Sequence, residues 1–261
     1  MRLAAFADLA WRGFAALVVV FMAAPLILVV LFSFNASALT SLPLTGFTLD
    51  WYRRLFANAS FWPALRNSLI VGFAVALALV ASGTLAALAL SRARKGPANA
   101  LMAALGLPVL LPALVVGVAL VCYFVHFLDL RLGLPTVILG HLVIAQPFVV
   151  LIVHARLASF DWATVDSARD LGATPLVAFR TVVLPILQPT IVGAALIALS
   201  ISLDDFVITF FMIGGGNTLP TLVWGMVRTS LDPTINAMAT LLIALSAGST
   251  VLALRLTRYR G

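Results

Sequence analysis

Asp204 and Asp205 stand side by side inside a run that is otherwise almost wholly apolar, from about residue 189 to 213. They are the only acids well inside such a run. A carboxylate at the centre of a membrane helix costs about 2.5–3.5 kcal/mol on insertion scales, so two adjacent ones demand compensation. Neighbouring helical residues point about 100° apart, and the pair cannot serve one partner equally. Either one acid lines a pathway while the other caps a broken helix or bonds across subunits, or both are satisfied by hydroxyls such as Ser200, Ser202 and Thr209 or by a partner helix. A carboxylate with aromatic rings nearby suits an organic cation through charge and cation–π attraction. Trp51, Tyr52 and Trp224 are the candidate rings, with anchoring at the membrane interface as their alternative role.

Other chemistry is poorly served. His126, His141 and His154 lack metal-ligand spacing. Gly214-Gly215-Gly216 lacks the Lys-Ser/Thr ending of a phosphate-binding loop and reads as a flexible turn. No nucleophile–base constellation and no ATP site is visible. Cys122 has no second cysteine to pair with.

The elements that hold the acids are set by bulk composition. Of 261 residues, 63% are hydrophobic and 10% charged, and the mean hydropathy is +1.15. A soluble fold of this length cannot hide that much apolar surface, whereas lipid solvates the outer faces of helices. At about 20 residues per crossing, six spans are predicted, near 14–34, 67–90, 101–127, 135–155, 189–213 and 234–254. The chain reads as all-α, a single transmembrane domain over 1–261 in contact with lipid. Pro108 and Pro112 are expected to kink the third span, because each removes a backbone donor. A tight turn around Asp129 to Gly133 joins the third and fourth. The first run is too long for the apolar region of a cleaved signal peptide, about 7–15 residues, and is read as a retained helix.

The net charge of +7 reflects basic residues clustered at the ends of the apolar runs, a topology signal and not a nucleic-acid surface. With the N-terminus inside, the inner segments hold eleven of the 16 basic residues, among them Arg2, Arg92, Arg94, Lys95, Arg156, Arg258 and Arg260. Both termini are therefore expected in the cytoplasm. The outer loop 35–66 carries Trp51, Tyr52, Phe61 and Trp62 and is expected to lie at headgroup level as a short helix.

The inner loop 156–188 reads as a helix–turn–helix. Asp161 caps the first helix, Gly172 ends it, and Thr174-Pro175 starts the second as cap and first turn. Leu176, Phe179, Val182 and Val183 give the second helix an apolar face, and Pro185 and Pro189 are expected to break the chain before the fifth span. Asp166 and Arg169 lie three apart on one helix side, in reach of each other. Packing on its own bundle is the plainer role for this loop.

The same loop resembles the signature of permeases of ATP-binding-cassette importers, EAA-x3-G-x9-I-x-LP. Asp166-Ser167-Ala168, Gly172, Val182 and Leu184-Pro185 match every offset, with Asp for Glu and Ser for the first Ala. The likeness extends over nearly the whole chain and is nearest to the polyamine (spermidine/putrescine) branch, second permease subunit, of the MetI-like type I fold. Its strongest marks are Ser202-Leu203-Asp204-Asp205 and Asn236-Ala237-Met238-Ala239-Thr240. One potential cation contact of that branch is missing, since Pro112 is followed by Ala113.

The resemblance implies that Asp166, Ser167, Ala168, Arg169, Gly172, Leu184 and Pro185 form a coupling element for a cytoplasmic ATPase. It also implies a related permease as heterodimer partner, two ATPase subunits that carry the ATP and Mg, and a periplasmic substrate-binding protein. No cofactor is expected on this chain. Another cargo (ferric ion, thiamine, a different organic cation) and an ATP-independent secondary transporter are the alternatives.

Overall fold

The computed structural model describes residues 2–39, 41, 43–229 and 232–258, with side chains from Trp11 to Leu256. The side chains of Arg2 and Arg258, and Arg260 altogether, lie outside the described residues. Among those described, the regular secondary structure is helical apart from one isolated bridge between Asn35 and Phe47. It divides into two compact units. One comprises the residues up to Phe61 with Val223–Ile243, the other Trp62–Leu222 with the chain from Ala244 onward.

In the first unit, α1 (Arg2–Ser33) is long and apolar enough to cross a membrane, and from Trp11 onward most of its apolar residues are exposed, as a helix solvated by lipid allows. After it, the chain doubles back through the Asn35–Phe47 bridge into the short helix α2 (Asp50–Ala57). Trp51 pins that return: its Nε1 donates to the Asn35 carbonyl at 2.7 Å.

The second unit holds α3 (Phe61–Arg92), α4 (Lys95–Leu110), α5 (Ala113–Cys122), α6 (Leu134–Ala158), α7 (Ala163–Asp170), α8 (Pro175–Ala178), α9 (Leu184–Asp204) and α10 (Val207–Met212); α11 (Leu219–Thr229) and α12 (Thr234–Arg258) complete the chain. Among the described residues, five helical stretches are long and apolar enough to cross a membrane. A sixth crossing arises only if α4 and α5 count as one, and these are bent by 104°. The expected single third helix is thus two. Leu111, which precedes Pro112, sits at φ −87°, ψ 149°, because a following proline pushes a residue out of the helical region. Pro108 lies inside α4 without ending it.

The fifth span also departs from expectation at both ends. Pro185 and Pro189 do not break the chain, which runs helically from Pro175 to Asp204. A turn of π-helix at Phe179–Val183 precedes Pro185. Its i→i+5 bonding widens the helix where the proline ring would otherwise meet the preceding turn. At the far end, α9 stops at Asp204 and does not continue to 213.

The core of this unit forms around α6 and α9, through Val137, Ala145, Val149 and Val153 on one helix and Leu187, Ala194 and Ala198 on the other. Small residues let neighbouring backbones approach, as membrane helix pairs require. A Cβ on Gly83 of α3 would lie 2.7 Å from Val149 Cγ1, and one on Gly140 of α6 would lie 2.6 Å from Ile208 Cγ2. Gly248 of α12 has open space around it. Gly83→Ala is therefore expected to destabilise the purified protein by about 1–3 kcal/mol, since the stiff Val149 cannot yield. Gly248→Ala should be neutral or stabilise by up to about 1 kcal/mol. Thermal unfolding in detergent checks both.

Candidate functional site

The fifth span breaks at the acid pair, and each acid takes a separate task. Asp205 leaves the helix at φ −72°, ψ 113°. Its Oδ1 accepts from the backbone N–H of Ile208 at 2.9 Å and of Thr209 at 3.3 Å, capping α10. Buried donors without partners cost several kcal/mol in hydrocarbon, so the carboxylate is what permits a helix to end and restart here.

His141 of α6, almost wholly buried, braces the cap from the side. Its Nε2 lies 2.9 Å from Thr209 Oγ1 and 3.5 Å from Asp205 Oδ1. Thr209 Oγ1 already donates to the Asp205 carbonyl at 3.0 Å, so it accepts from His141, which puts a ring proton on Nε2. Nδ1 is then free to accept from Ser202 Oγ at 2.7 Å. Of the three hydroxyls expected to satisfy the acids, Ser202 reaches Asp205 only through the imidazole and Thr209 through the backbone and the imidazole, while Ser200 bonds α12 instead.

Asp204 points elsewhere. Its residue is exposed, and its Oδ1 accepts from Ser246 Oγ of α12 at 2.6 Å. The seam between α9 and α12 continues in hydroxyls: Ser200 bonds Ser249, and Thr250 at 3.3 Å. An exposed carboxylate on a hydroxyl-lined seam can attract a cation while its serine holds the side chain in place.

The expected rings are placed in the first unit. Trp51 is 6% exposed with its indole nitrogen bonded to the chain, and Arg54 covers its face at 4.9 Å. Tyr52 Oη pairs with Ser33 Oγ at 2.8 Å. Trp224 is about half exposed, with the Arg228 guanidinium 5.9 Å from its ring centroid.

The helix–turn–helix forms as α7, a turn and α8. Asp161 Oδ1 accepts from Ala163 N–H at 3.0 Å. The C-terminus of α7 closes with two bonds, Ala173 N–H to the Ala168 carbonyl at 3.1 Å and Gly172 N–H to the Arg169 carbonyl at 2.9 Å. That closure places its glycine in the left-handed region, and Gly172 has φ +90°. Thr174 Oγ1 accepts from Val177 N–H at 3.4 Å to start α8.

Val165 and Ala178 are buried against the bundle, while Asp166, Ser167, Arg169, Leu184 and Pro185 are exposed and Ala168 is half-buried. Leu171, at the tip, is 90% exposed. No ion pair joins Asp166 to Arg169 among the described residues; both instead line a cleft of about 530 Å³ between α7 and α8. In open solvent such a pair gains little over hydration.

Sequence reasoning missed His141 and Ser246. His141 carried a signal, an ionisable group inside a span, but was weighed only as a metal ligand. Ser246 carried none, being 42 residues from its partner. Removing the cap in Asp205→Ala should cost about 0.5–2 kcal/mol, and Asp205→Asn, which keeps an acceptor oxygen, should recover most of it. Unfolding temperatures of the two variants measure the difference.

Comparison with known proteins gives the frame for these parts. Residues 80–259 match the family described as "Binding-protein-dependent transport system inner membrane component". The chain is 34% identical over 231 residues to the putrescine transport system permease protein PotI of Escherichia coli K12, covering 85% of this chain and 82% of that one. It is 32% identical over 248 residues to the spermidine/putrescine transport system permease protein PotC of Haemophilus influenzae, covering 95% and 96%.

Among solved structures, a chain of a bacterial alginate ABC transporter superposes with a TM-score of 0.70 at 18% identity, over 99% of this chain and 98% of that one. One from the MetNI methionine ABC transporter gives 0.59 at 20% identity, over 77% and 97%. These share the type I importer permease fold. With its several apolar crossings, the all-helical architecture and this match over most of its length, the chain is a multi-pass membrane protein that belongs to the family of binding-protein-dependent transport system inner membrane components.

Proposed function

We propose that this chain is one permease subunit of an ATP-driven importer that carries a polyamine inward across the bacterial inner membrane. The observation that carries the reading is Asp204, an exposed carboxylate at the end of the fifth apolar crossing, held by Ser246 on a seam of hydroxyls. A flexible polycation needs such a group to offset its lost hydration, and relatives 34% and 32% identical over most of this chain are named for putrescine and spermidine.

In this reading both termini are cytoplasmic, as the bias of basic residues favours. A related permease forms the other half of the pathway, and a periplasmic binding protein delivers the cargo. Two ATPase subunits, which hold the ATP and Mg, seat on α7 and α8 through the exposed Leu171, Asp166 and Arg169. ATP binding draws these segments together. The unbroken helical rod from Pro175 to Asp204, about 45 Å long at 1.5 Å per residue, carries that displacement to the acid. The pathway opens outward, takes the cargo, and delivers it inward on reset.

Asp204→Asn keeps the side chain's shape and an acceptor for Ser246 but loses the charge. A hydrogen bond to a charged group is worth about 1.5–3 kcal/mol, so uptake of labelled putrescine and spermidine should fall about tenfold or more while expression holds. Unchanged uptake of both in a strain deleted for this chain sinks the polyamine reading. Gly172→Arg puts a bulky side chain into a left-handed position and should strip a copurifying ATPase from the solubilised protein. If even the unaltered chain brings down no ATPase, the importer reading itself fails.

A further inference from the structure

At the cytoplasmic-loop end of the bundle, the last turn of α3 meets the start of α7, with Leu90 and Val165 in the same buried core. Arg92 stands in the last turn of α3, with its guanidinium carbon 4.3 Å from the centroid of the Trp162 ring. Trp162 is the residue from which α7 starts: its carbonyl accepts from Val165 at 3.0 Å and from Asp166 at 3.1 Å. Its ring leans on Phe160 at 4.8 Å, and Phe160 is buried in the core. Beside this contact lies a cavity of about 360 Å³, lined by Leu88, Ala89 and Arg92 of α3 and by Val165, Asp166 and Phe179 of the helix–turn–helix, among others. Protein interiors are close-packed and transmit displacement for that reason; a gap does not.

We infer that Arg92 is a positioning residue that ties α3 to the start of α7, so that the end of α3 follows the ATPase-docking element where a cavity leaves the packing between them incomplete. The assignment rests on the importer reading above. The chemistry suits the task. A planar guanidinium stacked on an indole holds over a range of sliding motions, whereas a close-packed contact resists them. Arg92 also lies at a helix C-terminus, where its charge is favoured, and it forms no ion pair among the described residues. The aromatic ring is thus its side chain's anchor.

The experiment places spin labels at Ala93→Cys and, on the exposed start of α7, Ala163→Cys on a Cys122→Ala background. The distance between them is measured in the complete transporter, nucleotide-free and trapped with ATP and vanadate in the presence of its binding protein. With Arg92 present, the two distributions should coincide, since both sites move together. In Arg92→Ala the trapped state should shift or broaden by about 2 Å, the scale of helix displacements in switching proteins. Transport per ATP hydrolysed should fall about two- to five-fold, the size such a contact supports. Arg92→Lys, which keeps a cation over the ring, should restore both readouts in large part.

Where Arg92→Ala fails to assemble, Trp162→Leu removes the same contact from the other side. Coincident distributions in Arg92→Ala overturn the assignment, as does a parent pair that already separates on trapping. A wild-type chain that recruits no ATPase fails earlier and takes the importer reading down with it.

Discussion

The second unit depends on one carboxylate cap. Because Asp205 accepts from Ile208 and Thr209, the fifth span can stop in the middle of an apolar run and restart as α10. Everything α10 touches follows from that turn. Phe211 and Ile208 close onto Gly117 of α5, and Ile208 and Met212 onto Gly140 of α6. The Met212 carbonyl then accepts from Gly133 N–H at 2.9 Å and from Thr136 Oγ1 at 3.0 Å, fixing the start of α6. Gly214, at φ +65°, sits so close to the Leu132 carbonyl that no side chain fits. The triple glycine is therefore a closely fitted turn against the α5–α6 connection, more constrained than its composition suggests.

The same break separates the roles of two adjacent acids. One is spent on backbone donors and braced by His141; the other is left exposed beside Ser246. A continuous helix would have put both carboxylates at neighbouring positions of one rod, each needing a partner in hydrocarbon. Ending the helix between them turns one acid into structure and leaves the second available for a cation. At the opposite end of the rod, the π turn before Pro185 does the converse, keeping a helix continuous where two prolines would be expected to end it.

Much of the helix–turn–helix was legible in the sequence because its signals are local. Asp161, Gly172 and Thr174-Pro175 each act on backbone groups within a few residues, and each forms the cap or turn that its type favours. The third span shows where local rules stop. Two prolines were read as kinks in one helix, yet the angle of 104° makes them a boundary. Only Pro112 has that effect, because the residue before it adopts the extended conformation, and nothing local distinguishes it from Pro108. The Asp166–Arg169 pair shows the reverse error: correct spacing, but side chains that turn into an open cleft.

Sequence alone determined that this is a membrane-embedded helical protein with a helix–turn–helix outside its crossings and an acid pair inside one. Hydropathy, caps and offsets are properties of short stretches, and they survive any tertiary arrangement. Tertiary structure decided which acid faces outward, that His141 and Ser246 are their partners, and that Arg92 meets Trp162. Those contacts join residues 42 to 70 positions apart and from different helices, where helical periodicity carries no information about who stands opposite whom. The acid pair was visible from the first reading; its division of labour was not, because that division is made by a helix break whose cost only the surrounding helices could offset.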